Sequence, residues 1–310
     1  MSKRTDAWRT RWQAMPANLR GMMWAALSGF IFCCLNTLMR SLTLDMHPFV
    51  VGFWRYLFGA LVMVPLFLRL GPNLWRTKRP GSHLARSFVH TCGLLLWFFA
   101  LPLIPIAETT ALGFTTPLFI TIGAVLFLSE KVGIRRWSAV AIGFVGTIVI
   151  LRPGLGTLSS AALLMLASAP LFAASNLLAK SVARSDTPAA IVGWQSTLIT
   201  LFALPAAIYF WAWPSWGQLA ILLLGGLLGT IGHLALSQSY RVADITAVQP
   251  IGFLSLVWAQ ALGFLIFADL PDMWTWIGAA IIFAANTYIV HREAVRRGKP
   301  DLSGDAPPAH

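Results

Sequence analysis

The sequence predicts an all-α integral membrane protein, with ten transmembrane helices arranged as two inverted five-helix repeats. Three observations carry that expectation. The chain is strongly apolar, its basic residues gather at alternate ends of its apolar runs, and its first half is written again in its second.

Hydrophobic residues make up 57% of the chain and charged residues 11%, with a mean hydropathy of +0.71. A soluble domain carries roughly 25% charged residues. Here the charges sit in short blocks between apolar runs of about 20 residues, the length that crosses a hydrocarbon core of roughly 30 Å. The runs cover 21–41, 48–68, 86–103, 106–128, 136–152, 158–180, 188–210, 217–239, 245–267 and 273–291. The connectors "LPLIPI" and "SYRVAD" are so short that the third and fourth helices, and the eighth and ninth, must form antiparallel hairpins.

The net charge of +12 would suggest nucleic acid in a soluble protein. The positions of the charges point to the lipid bilayer instead. Given ten spans, 20 of the 23 Lys and Arg residues fall on one side, in the termini and alternate loops. Only Arg40 and Arg152 fall on the other, and Arg55 lies within a span. Positive loops stay in the cytoplasm, so the chain is expected in the inner (plasma) membrane with both termini cytoplasmic. Residues 1–20 form a cytoplasmic N-terminal segment too charged for a signal peptide, and 292–310 a disordered cytoplasmic tail. Cys33, Cys34 and Cys92 all lie in apolar runs and read as small core residues.

The repeat appears when "NTLMRSLTLDMHPFVVGFWRYLFGALVMVP" (36–65) is laid over "NLLAKSVARSDTPAAIVGWQSTLITLFALP" (176–205). Without a gap, seven of thirty positions are identical, among them Asn36/Asn176, Pro48/Pro188, Trp54/Trp194 and Pro65/Pro205. Arg40 falls on Lys180 and Arg55 on Gln195. Five helices is an odd number, so the second copy enters the membrane from the opposite side. Inverted repeats recur in secondary transporters, where the substrate binds near the midplane between the halves.

Two segments, "TTPLFITIGAVLFLSEKVGIRRWSAVAIGFVGTIVI" (115–150) and "VWAQALGFLIFADLPDMWTWIGAAIIFAANTYIV" (257–290), place an acidic residue between apolar helices at the end of each half. With the two five-helix halves, they resemble the EamA-like family of the drug/metabolite transporter superfamily. Asp269 stands where that pattern usually has Glu. The resemblance spans residues 20–292, with repeats over 21–152 and 158–291. It implies transport of small metabolites, often export of amino acids or related zwitterions and anions. The alternative within the superfamily is import of a vitamin-like or nucleoside-like metabolite.

Ionisable groups inside a bilayer are costly and mark function by default. Arg55 lies seven residues past Pro48, about 10 Å below the outer end of its helix. Either it snorkels to the outer headgroups, or it lines a cavity and fixes a carboxylate or phosphate with its two-pronged donor. Gln195 is its counterpart from the opposite side. Asn36 and Asn176 serve interhelical hydrogen bonding or substrate. The deep tryptophans Trp54, Trp97, Trp194 and Trp258 offer packing or stacking surfaces. His233 is a deep titratable group, whereas His90, one turn past Arg86, reads as closer to the interface. Gln249 precedes Pro250, which would free a backbone carbonyl in the ninth helix.

No carboxylate falls mid-membrane, and the sequence has no phosphate-binding loop, metal-ligand cluster or nucleophile–base pattern. No cofactor or metal is therefore expected, and an enzyme or a channel is the reading from a different class. The expected partners are a small-molecule substrate and lipid, but not nucleic acid. A proton as coupling ion, and monomer against homodimer, stay open at this stage.

Overall fold

A computed structural model describes residues 15–71, 77–128, 134–151, 159–183, 185–243, 251, 254–270 and 272–297. These residues are helical throughout, joined by short turns, with no strand among them. The helices are α1 (Ala17–Thr43), α2 (Pro48–Leu70), α3 (Pro80–Ala100), α4 (Ile106–Gly113), α5 (Thr116–Leu128) and α6 (Ile134–Leu151). The second half adds α7 (Ser160–Val182), α8 (Pro188–Tyr209), α9 (Trp216–Val242), α10 (Leu254–Phe267) and α11 (Met273–Arg297). By length and composition, six stretches are apolar enough to cross a membrane: 19–43, 48–69, 80–103, 160–179, 188–209 and 216–239. Val140–Ile150, Val257–Phe267 and Met273–Ala285 are shorter apolar helices.

Local chemistry sets the helix starts. Pro48, Pro80 and Pro188 open α2, α3 and α8, where a missing N–H costs nothing. Ser159 and Thr187 accept hydrogen bonds from Ala162 N and Ala190 N and so cap α7 and α8. Ser215 and Gln218 close a reciprocal capping box on α9.

Expected and observed elements differ in places: the helix expected from 86 opens at Pro80, and the last, expected to end at 291, runs to Arg297. The run 106–128, read as one helix, is broken between α4 and α5 at Phe114–Thr115. Pro117 has no N–H to continue the ladder. Thr115 Oγ1 donates to the Leu112 carbonyl at 2.7 Å, and Leu118 N restarts the ladder on the Thr115 carbonyl at 2.9 Å.

The packing joins the two halves. Helix α1 lies against α9 and α10, α3 against α7 and α8, α2 against α8 and α9, and α6 against α11. Small residues let the backbones approach, as packing without a hydrophobic drive between helices requires. A Cβ on Gly146 would sit 2.8 Å from the Gly278 carbonyl oxygen, so α6 and α11 touch backbone to backbone. Polar side chains add cross-helix hydrogen bonds: Ser28 Oγ donates to the Gly232 carbonyl at 2.9 Å and Ser239 Oγ to that of Gly21 at 2.8 Å. The outward faces carry Leu61, Leu68, Leu201, Ile208 and Leu265, each more than half exposed, as suits a lipid-facing surface. Arg40 pairs with Asp269 and lies over the Phe267 ring, tying the end of α1 to the end of α10.

Candidate functional site

Arg55 is 5% exposed. It does not snorkel: its guanidinium carbon lies 4.0 Å from the centroid of the Tyr56 ring, and the group turns inward against α9. A Cβ on Gly229 would come within 2.7 Å of Arg55 Nη2, so the guanidinium occupies the space that a larger residue at 229 would fill. Among the described residues Arg55 has no carboxylate partner.

A polar chain runs on from Tyr56. Its hydroxyl lies 3.2 Å from His90 Nε2, and His90 Nδ1 lies 3.2 Å from Ser175 Oγ. One tautomer serves both contacts, with one ring nitrogen accepting and the other donating. The chain thus crosses from α2 through α3 to α7. His90 also meets the Phe172 ring edge-on at 5.0 Å and the His233 ring at 6.3 Å. His233 packs against Phe32 at 4.9 Å, and Trp97 against Phe172 at 5.9 Å. One turn before His90, Arg86 Nη2 donates to Gln195 Oε1 at 2.8 Å, a second polar bridge between the halves. Gln195 is 2% exposed, and its Nε2 has no partner among the described residues.

Of the residues expected to bind substrate, the structure gathers Arg55 and His233 about His90, with Trp97 reached through Phe172 and Gln195 through Arg86. Others lie elsewhere. Trp54 packs with Phe53, Phe58, Trp211 and Trp213. Trp194 stacks on His83 at 5.7 Å, and Trp258 meets Phe30 at 5.0 Å. Asn36 and Asn176 are half-buried on α1 and α7. Gln249 lies outside the described residues. Tyr56, Ser175, Arg86, Phe32 and Phe172 were not anticipated as site residues, and His90 lies deeper than expected. Sequence proximity was the available signal for three of them: Tyr56 follows Arg55, Ser175 precedes Asn176, and Arg86 is one turn from His90. Among the described residues no three His, Cys, Asp or Glu side chains converge as metal ligands.

Polar and aromatic side chains from both halves thus meet around His90. The EamA-like transporter family matches the chain twice, over residues 19–152 and 159–290. The riboflavin transporter of Rhizobium johnstonii is 38% identical, over 90% of this chain and 94% of its own. The S-adenosylmethionine uptake transporter of Rickettsia prowazekii is 29% identical, over 90% and 95%. A crystal structure at 19% identity superposes with a TM-score of 0.61, covering 90% of this chain and 98% of that one, a likeness of fold. This chain therefore belongs to the EamA-like transporter family of the drug/metabolite transporter superfamily and is a multi-pass membrane protein.

Proposed function

We propose that this chain imports a planar, heteroaromatic, vitamin-like metabolite of the riboflavin type across the inner membrane, by alternating access with both termini cytoplasmic. The polar chain Arg55–Tyr56–His90–Ser175 carries the reading. It offers donors and acceptors for ring carbonyls and chain hydroxyls, while Phe32, Phe172 and Trp97 supply faces for a flat ring. The amino-acid exporter placed first from sequence is the weaker choice, because the two relatives described above are named for a vitamin and a nucleoside derivative.

The halves, 21–152 and 158–291, act in this reading as inverted repeats. The packing supports it: α1 lies on α9, and their counterparts α7 and α3 lie on each other. Helix α2 lies on α9 just as its counterpart α8 lies on α3. Polar bridges between halves would then break and reform as the site opens to each side.

The test is counterflow in liposomes holding the purified protein. Unlabelled riboflavin inside should drive saturable uptake of labelled riboflavin, and Arg55→Ala should lower it by on the order of tenfold, the scale of one charge-assisted hydrogen bond. Counterflow of amino acids without riboflavin would restore the exporter. Flux without counterflow would indicate a channel, and a chemically altered substrate an enzyme.

A further inference from the structure

The two relatives described above differ in the charge of what they are named for: riboflavin is neutral, and S-adenosylmethionine carries a sulfonium cation. We propose that Arg55 makes this site a charge filter, admitting neutral and anionic heteroaromatic ligands and rejecting those that bear a fixed positive charge. The inference rests on the import reading above and narrows its substrate class.

The electrostatics follow from named groups. Arg55 is buried, and among the described residues no carboxylate offsets it. An unpaired buried guanidinium is costly, so a ligand that brings carbonyl, imide or phosphate oxygens supplies what the described residues do not. A second arginine lies close by: Arg86, one turn before His90 on α3, bonds Gln195 Oε1 at 2.8 Å.

Packing sets where the charge sits. The Tyr56 ring holds the guanidinium from one side, and Gly229 admits it from the other. A cationic ligand centred about 8 Å away, at an effective dielectric constant of about 20, would lose about 30-fold in affinity. Neutral aromatic surface loses nothing, because a guanidinium stacks on rings as readily as it bonds to oxygens.

The experiment keeps the ring constant and varies the charge. Riboflavin, flavin mononucleotide and a flavin whose side chain ends in trimethylammonium compete for labelled riboflavin counterflow by the native protein in liposomes. The cationic flavin should compete at least about tenfold more weakly than riboflavin, and the phosphorylated one no more weakly. Arg55→Gln should close the gap and Arg55→Lys should keep it, each checked for native-like thermal unfolding. Equal competition by the cationic flavin overturns the filter while leaving the import reading intact, as does a gap unchanged in Arg55→Gln. Should Arg55→Gln not fold, the native protein's ranking of the three flavins decides alone. A native protein that exchanges S-adenosylmethionine and no flavin overturns both.

Discussion

His83 Nε2 lies 2.7 Å from Asp186 Oδ2, with both side chains almost wholly buried, so the start of α3 is tied to the turn between α7 and α8. The bond joins the two halves on the side where the sequence places the cytoplasm. Arg79 adds a longer bond from Nη1 to the Ser181 carbonyl at 3.3 Å. Removing one partner of a buried pair leaves the other without compensation, at a cost of about 3 kcal/mol. Asp186→Ala and His83→Ala should each lower stability by that order. The double variant should lose less than the sum, as measured by chemical denaturation in detergent. Burial raises the Asp186 carboxyl, but hydrogen bonds with His83, Thr77 and Ser185 outweigh it and hold the carboxyl below its ordinary value. A carboxyl lowered by folding stabilises above its unfolded value and loses that contribution as pH falls through the folded one. The Asp186 contribution should therefore be level from pH 8 to pH 5 and vanish only in stronger acid.

Two glycines one turn apart on α9 should respond differently to the same added methyl group. At Gly226 a Cβ would lie 2.6 Å from Phe58 Cβ and 2.8 Å from the Gly59 backbone nitrogen. Neither can yield without moving α2, so Gly226→Ala should cost about 1–3 kcal/mol. At Gly229 the obstacle is the far end of Arg55, which can swing. Gly229→Ala should keep the unfolding midpoint close to native while weakening riboflavin counterflow by on the order of tenfold, because the guanidinium is displaced. Loss of folding in Gly229→Ala would mean that Arg55 is structurally locked.

The helix ends were legible in the sequence because apolar length and proline placement are local signals. Pro48 and Pro188 mark the starts that the structure shows for α2 and α8. The break at Phe114–Thr115 hid in unbroken hydropathy, with Pro117 its one trace. Arg55 and His233 stood out because ionisable groups in apolar runs are costly. Tyr56 and Ser175 did not, since their roles depend on which helices meet. The matched pair Trp54 and Trp194 lies apart from the His90 cluster, and a repeat preserves packing positions as faithfully as functional ones. Trp54 packs on Trp211 and Trp194 on His83.

Ala268 is the one residue other than glycine with positive φ among the described residues, at 54°. It ends α10, donating its N–H to the Phe264 carbonyl at 3.1 Å, while Asp269 N reaches back to the Gly263 carbonyl at 3.1 Å. That turn aims Asp269 at Arg40. A left-handed conformation costs an L-residue about 1–2 kcal/mol, and the added freedom of glycine in the unfolded chain returns part of the gain, about 0.5–1 kcal/mol. Ala268→Gly should thus stabilise the protein by about 0.5–1 kcal/mol. A lower unfolding midpoint would show that the methyl group has a packing role that outweighs its strain.

His47 sets a second pH dependence. It precedes α2 as its N-cap, accepting the Phe49 N–H on Nδ1 at 3.4 Å, and its ring stacks on Phe210 at 3.7 Å. Burial lowers its pKa below the ordinary value. The unfolded chain therefore takes up the proton more readily, and the His47 contribution is full above about pH 6.5. It is lost as pH falls from there through the folded value. Protonation also removes the Nδ1 acceptor that caps α2. Between pH 7 and pH 5 the native unfolding midpoint should fall. His47→Asn, which keeps a capping acceptor without a titratable ring, should show a shallower fall over the same interval. Identical slopes in the two proteins would assign the pH dependence to groups other than His47.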